Sequence, residues 1–160
     1  MDMFNKFIEI FDALEKEGVE YILIGGFAVV LYGLPRVTQD IDIFLKPSYD
    51  NIEKLKKVLS SLFDDDSIEE ISADMLENYP VVRYGSPDGF NIDIIIRIGD
   101  MFKYSDIRFN IKNIEGHTVK IATVESLYRM KKDTVRPVDK SDAAFLMGLL
   151  KEEEKNNAGL

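Results

Sequence analysis

Two apolar stretches of strand length carry aspartates where core residues would ordinarily stand, and that pattern limits the folds open to this chain. The first reads Asp40-Ile41-Asp42-Ile43-Phe44-Leu45. Side chains two apart on a strand share a face. Asp40, Asp42 and Phe44 therefore point one way, and Ile41, Ile43 and Leu45 point the other, toward a core. The second stretch reads Asn91-Ile92-Asp93-Ile94-Ile95-Ile96. An unpaired charge inside a core is costly, so Asp93 needs a purpose or a partner. Ile92, Ile94 and Ile96 share the opposite face, so Asp93 is expected to point out of the core. Alone it could be a strand-end acid meeting Arg83 or Arg97. If the two strands lie side by side, Asp40, Asp42 and Asp93 converge.

The surrounding sequence supplies helices for such strands. Phe4, Phe7, Ile8, Phe11 and Leu14 fall on one face of a helix over Met3 to Lys16. Gly18 stops it. Val19 to Ile24 reads as a buried strand bounded by Gly25-Gly26, and Phe27 to Tyr32 as a short helix closed by Gly33 and Pro35. Pro47 and Ser48 open a helix with apolar Ile52, Leu55, Val58, Leu59 and Leu62. Asp64-Asp65-Asp66 reads as a solvated loop, and Ser72 to Asn78 as a helical turn. Val81 to Tyr84 and Phe90 to Ile98 are expected as strands about a turn at Ser86-Pro87-Asp88-Gly89. Arg108 to Ile114 and Thr118 to Ile121 form a further hairpin through Glu115-Gly116. Thr123 caps one helix, and Pro137 begins another that runs to Leu150. Lys151 to Leu160 is polar and expected to fray. The pattern is α/β (α+β), a small mixed sheet flanked by helices, in one domain over residues 1–160 with a helical C-terminal segment at 123–150.

Composition removes other classes of chemistry. There is no Cys, so disulfides and thiolate metal sites are excluded, and His117 is the only His. No apolar run approaches the ~20 residues that span a bilayer. Met1 to Glu9 lacks the basic start of a signal peptide, and a cytoplasmic location is expected. The net charge of −9 argues against binding long duplex DNA, which needs Lys and Arg against phosphates.

Two like charges on one strand face repel, and a divalent cation between Asp40 and Asp42 removes the conflict. Oxygen-only ligation suits Mg²⁺, which takes carboxylates together with substrate phosphates. Glycines at Gly25-Gly26 let the backbone approach a ligand closely, and the N–H groups of the following helix suit phosphate. A tight strand-to-helix turn with no ligand would use the same two residues.

Taken together, these residues resemble the DNA polymerase β-like nucleotidyltransferases. In that superfamily a Gly-Gly or Gly-Ser turn precedes Asp-x-Asp on a strand, and a third acid follows on a later strand. Here Gly25-Gly26 precedes Asp40-Ile41-Asp42, and Asp93 can be the third acid. The match is most similar to the small prokaryotic branch that includes abortive-infection, type IV toxin nucleotidyltransferases. Gly25-Gly26-Phe27-Ala28, Tyr32-Gly33 and Arg36-Val37-Thr38-Gln39-Asp40-Ile41-Asp42 follow its pattern, except that Tyr32 stands where a His is expected. Leu127, Met130, Lys131, Arg136, Pro137, Asp139 and Asp142 resemble its C-terminal segment.

The resemblance implies transfer of a nucleoside monophosphate from an NTP to an acceptor hydroxyl, with pyrophosphate released. It implies two Mg²⁺ ions at Asp40, Asp42 and Asp93, with Asp93 also a general base. Gly25 and Gly26 would meet the triphosphate. Arg36 would touch phosphate or order its loop, with Thr38 beside it, and Lys131 would reach the nucleotide. A surface ion pair would equally account for Arg36, and Arg136 and Asp139 are spaced to pair with each other. The acceptor is open among small molecule, tRNA and protein. A homodimer or an antitoxin partner fits the family, as does the alternative of an inert nucleotidyltransferase fold used for binding.

Overall fold

The computed structural model describes residues 2–158. It opens with α1 (Met3–Glu17), capped by Asp2, whose carboxylate accepts from Asn5 N–H at 2.8 Å. Phe7, Ile8, Ile10, Phe11 and Leu14 are its buried stripe. Gly18 ends it in the left-handed region at φ 76°, the C-cap geometry that glycine adopts most readily. Next come β1 (Tyr21–Ile24) and α2 (Gly25–Leu31). The Gly25-Gly26 pair thus forms the first turn of α2 rather than a loop before it.

A loop leads to β2 (Asp40–Leu45), then α3 (Tyr49–Leu62), capped by Ser48. A short 3-10 turn (Asp66–Glu70) and α4 (Ala73–Asn78) connect to β3 (Val82–Gly85) and β4 (Asn91–Ile95). The acidic stretch expected as solvated loop is partly structural: Asp65 caps the 3-10 turn and accepts from the Tyr84 hydroxyl at 2.9 Å.

The strand expected through Ile98 breaks after Ile95. Arg97–Ile98 (β5) instead pairs with Phe102–Lys103 (β6) in a separate two-stranded sheet. The chain closes with β7 (Phe109–Ile114), β8 (His117–Ala122), α5 (Val124–Lys131) and α6 (Pro137–Ala158). The tail expected to fray from Lys151 is helical over its described part, and Gly159 and Leu160 lie outside the described residues. The helix continues to Ala158 although every residue from Lys151 to Ala158 is exposed. Its earlier turns are seated by Asp139, Asp142, Ala143 and Leu146. Once those turns are nucleated, adding Glu and Lys residues to a helix costs little.

The main sheet has six strands in the order β3-β4-β2-β1-β8-β7. It is mixed: β2 runs parallel to β4 and β1 parallel to β8, and the other neighbours are antiparallel. Rings of Phe7, Phe11 and Phe27 pack edge-on and stacked between α1 and α2, at 4.8 Å and 6.1 Å. One buried polar side chain fixes how α3 meets the sheet. Asn51 accepts from Glu20 N–H at 2.8 Å and donates to the Glu20 and Lys46 carbonyls at 2.9 Å. Among the described residues no helix is long and apolar enough to cross a membrane.

Candidate active site

The parallel pairing of β2 with β4 sets Asp42 directly beside Asp93, and Asp40 beside Asn91. On the far side of β4, β3 sets Arg83 beside Asp93. A single row therefore crosses the sheet as Ile24, Asp42, Asp93 and Arg83. The convergence that depended on strand adjacency is present, and the register produces it.

Asp93 is almost fully enclosed and does not stand free above the sheet. Arg83 grips it with both arms of the guanidinium, Nε to Oδ1 at 2.8 Å and Nη2 to Oδ2 at 3.0 Å. The same Nη2 lies 3.5 Å from Asp40 Oδ2. Asn91 donates to the other oxygen of Asp40 at 2.9 Å. Arg83 appeared in the sequence only as one possible partner of Asp93. The signal that makes it part of the site is the β3–β4 register.

Asp42 is the acid most affected by its surroundings. Burial, then a hydrogen bond and charge from Asp93, then the charge of Asp40 push its carboxyl up to about 7, and Lys131 opposes them. Gly25 is required against this side chain. It has φ 75°, and a Cβ there would lie 1.9 Å from Asp42 Oδ2. At Gly26 a Cβ would lie 2.6 Å from an Arg36 guanidinium nitrogen. The glycine pair thus lets the start of α2 press onto the Asp42 carboxylate and the Arg36 guanidinium. Ile24, at the N-cap of α2, supplies no side-chain acceptor to the first-turn N–H groups.

Arg36, Thr38 and Lys131 all line the same cleft, of about 140 Å³, together with Gly26, Asp40, Asp42, Asp93, Arg83, Arg136 and Asp139. Their immediate partners are structural. Arg36 donates to Asp142 at 3.2 Å. Thr38 Oγ1 bonds the backbone of Asp40 and braces the entry to β2. Lys131 is buried and donates to Asp139 at 3.1 Å and to Asp142 at 2.8 Å. Asp142 is fully buried, and its Oδ1 has no hydrogen-bond partner. Burial pushes the Asp139 carboxyl up, but the hydrogen bond and charge of Lys131 outweigh it and leave the group below its ordinary value. Arg136 lies 3.8 Å from Asp139, the i,i+3 pairing expected from their spacing.

Tyr32 takes no part in the cleft lining. Its hydroxyl donates to the Ala122 carbonyl at 2.7 Å, so the departure from His falls on packing between α2 and β8. Beyond Asp42 the cleft opens into a second hollow of about 140 Å³ with Ile24, Ile98, Leu127 and Met130 in its walls.

The donor set fits a hard cation. Asp40 and Asp42 share one face, and Asp42 is enclosed beside Asp93 with its charge disfavoured. A cation there would relieve that conflict, as carboxylates plus phosphates do for Mg²⁺. Among the described residues, no group of three His, Cys, Asp or Glu side chains is arranged as a ready-made metal site.

Comparison with solved structures finds the same fold in several nucleotidyltransferases. The lincosamide antibiotic adenylyltransferase LnuA, lincomycin-bound, superposes with a TM-score of 0.62 at 18% identity, over 89% of this chain and 95% of that one. ANT(2")-Ia in complex with adenylyl-2"-tobramycin gives 0.57 at 14% identity, over 94% and 90%. A putative nucleotidyltransferase from Thermotoga maritima gives 0.53 at 16% identity, over 97% and 90%. No curated protein matches the sequence. Residues 10–136, well over half of the chain, match the family described as nucleotidyl transferase AbiEii toxin, type IV TA system. With the polymerase β-like sheet, the aspartate row and that match in place, the chain belongs to the AbiEii nucleotidyltransferase toxin family and is a nucleotidyltransferase.

Proposed function

We propose that this chain moves a nucleoside monophosphate from an NTP to an acceptor hydroxyl in a Mg²⁺-dependent reaction centred on Asp40, Asp42 and Asp93. The observation that carries the reading is the in-register pairing of Asp42 with Asp93, which brings the Asp40-x-Asp42 face and the third acid into one cleft. When bound, Mg²⁺ neutralises triphosphate charge and acidifies the attacking hydroxyl. Asp40 and Asp42 would hold it. Asp93 would take the proton of the acceptor hydroxyl. The acceptor oxygen then bonds to the α-phosphorus, the bond from that phosphorus to the bridging oxygen of the β-phosphate breaks, and pyrophosphate leaves.

The remaining cleft residues position the triphosphate. Gly25 and Gly26 offer backbone at the start of α2. Arg36, Thr38 and Lys131 stand along the same wall. The half-buried side chain of Met130, backed by buried Leu127, gives the planar base an apolar surface to lie on. The chain carries −9 overall, yet the cleft sets Arg36, Arg83, Lys131 and Arg136 against Asp40, Asp42, Asp93 and Asp139. That local balance supports binding of a polyanion in a protein whose surface would otherwise repel it.

In keeping with the type IV toxin–antitoxin description of the family, the reading places the reaction in the cytoplasm with an antitoxin as counterpart. LnuA is lincomycin-bound and ANT(2")-Ia holds adenylyl-2"-tobramycin. Small molecules therefore come first among acceptors to be screened, followed by tRNA and protein. The test supplies each α-phosphate-labelled NTP with Mg²⁺ and these acceptors. Label appearing on an acceptor in step with pyrophosphate, and disappearing in Asp42→Asn, supports transfer. Free nucleoside monophosphate as the sole labelled product would make the chain a hydrolase.

A further inference from the structure

We propose that Arg83 occupies the place of one of the two divalent cations, so that the three-aspartate site takes a single Mg²⁺ together with the triphosphate. The inference rests on the nucleotidyl-transfer reading and specifies the metal content of that same site.

The geometry comes first. Arg83 binds both oxygens of Asp93, at 2.8 Å and 3.0 Å, and its Nη2 reaches Asp40 at 3.5 Å. It bridges the two acids as a cation shared between them would. A planar fork on a carboxylate is among the stronger charge-assisted contacts, and a guanidinium does not deprotonate in a protein. The contact is also imposed by the backbone. Arg83 pairs with Asp93 in the β3–β4 ladder, so its side chain rises on the same face directly beside that acid.

The charge count agrees. Asp40, Asp42 and Asp93 carry −3 when ionised, and Arg83 sets one fixed positive charge against two of them, charge that a second divalent cation would otherwise supply. The buried cation of the cleft, Lys131, is already committed, because it is held by Asp139 and Asp142. The oxygens also agree. Arg83 grips Asp93 at both oxygens, and Arg83 and Asn91 hold the two oxygens of Asp40. Asp42 remains the acid with no basic side chain bonded to it, and it is the one against which Gly25 is pressed. Arg83 is then a positioning residue. It fixes Asp93 and supplies constant positive charge beside it, and Asp42 and Asp40 would hold the exchangeable cation.

The test counts Mn²⁺ by electron paramagnetic resonance in complexes with a non-hydrolysable α,β-methylene NTP. It compares wild type with Arg83→Met and Arg83→Lys. More than half of the Arg83 side chain is exposed on an edge strand, so its replacement leaves no core cavity. Thermal melting checks each fold. Wild type is expected to bind one Mn²⁺ per chain with an isolated-ion spectrum, and Arg83→Lys likewise. Arg83→Met is expected to bind two, with the coupled signal of ions ~3.5–4 Å apart. Two ions in wild type, or one in a folded Arg83→Met, would overturn the inference and leave nucleotidyl transfer standing. Failure of wild type to bind the nucleotide with Mn²⁺ would overturn both.

Discussion

Lys131 is enclosed between two aspartates, and that enclosure decides what its loss would do. Its ammonium holds Asp139 and the fully buried Asp142, whose Oδ1 already lacks a partner. Removing the cation leaves the buried Asp142 to Arg36 alone, a loss that approaches the ~3–5 kcal/mol typical of breaking a buried ion pair. Lys131→Met is therefore expected to lower the melting temperature sharply in the absence of nucleotide. A residue serving only the nucleotide would leave the apo melting point unchanged, so calorimetric melting of the apo variant separates the two roles. Asp42 predicts the opposite sign. Its carboxyl is raised from 3.8 to about 7, so between those values the folded state keeps a proton that the unfolded chain has lost. The stability so conferred is lost as pH rises through the window, by about 1–4 kcal/mol when fully titrated. In chelator, wild type is expected to lose stability relative to Asp42→Asn from about pH 4 to about pH 7. A constant difference across that range would contradict the assigned environment.

At the scale of elements, the start of α3 hangs on one side chain. Asn51 satisfies a backbone N–H and two carbonyls where β1 and β2 meet α3. Asn51→Ala leaves those groups short of partners and is expected to cost about 1–3 kcal/mol by denaturant unfolding, with nucleotide affinity unchanged because Asn51 lies outside the cleft lining. Nothing in the periodicity of α3 marks Asn51 as buried; its role exists only once three segments are assembled. The same distinction runs through the rest of the chain. The helix of Phe7, Phe11 and Leu14 and the acid-bearing strands were legible because period and cap residues are local properties. The hairpin at Glu115-Gly116 was legible for the same reason. The sheet of β5 and β6, the bidentate grip of Arg83 and the Asp142 node depend on pairing between distant residues. The run of α6 to Ala158 depends on turns packed well before it. The acid triplet of the site could be named from the sequence, whereas the cation among those acids required register.

Across the whole molecule, the six-stranded sheet joins two parts with different duties. Its β1–β8–β7 side is packed under α1 and held to α2 by the Tyr32 hydroxyl on Ala122. Its β2–β4–β3 side carries the aspartate row, and α5 and α6 close over that row with Lys131, Asp139 and Asp142. The cleft is thus framed by residues from Gly26 to Asp139, drawn from both strands and helices. On the proposed reading this assembled cleft binds an NTP through a cation held by Asp40 and Asp42. Isothermal calorimetry tests it most directly, with ATP, GTP, CTP and UTP titrated with and without Mg²⁺ into wild type and into Asp40→Ala/Asp42→Ala. Mg²⁺-dependent binding of at least one NTP by wild type is expected, with its loss in a double variant that still folds. No binding of any NTP to wild type, or equal binding by the double variant, would contradict it.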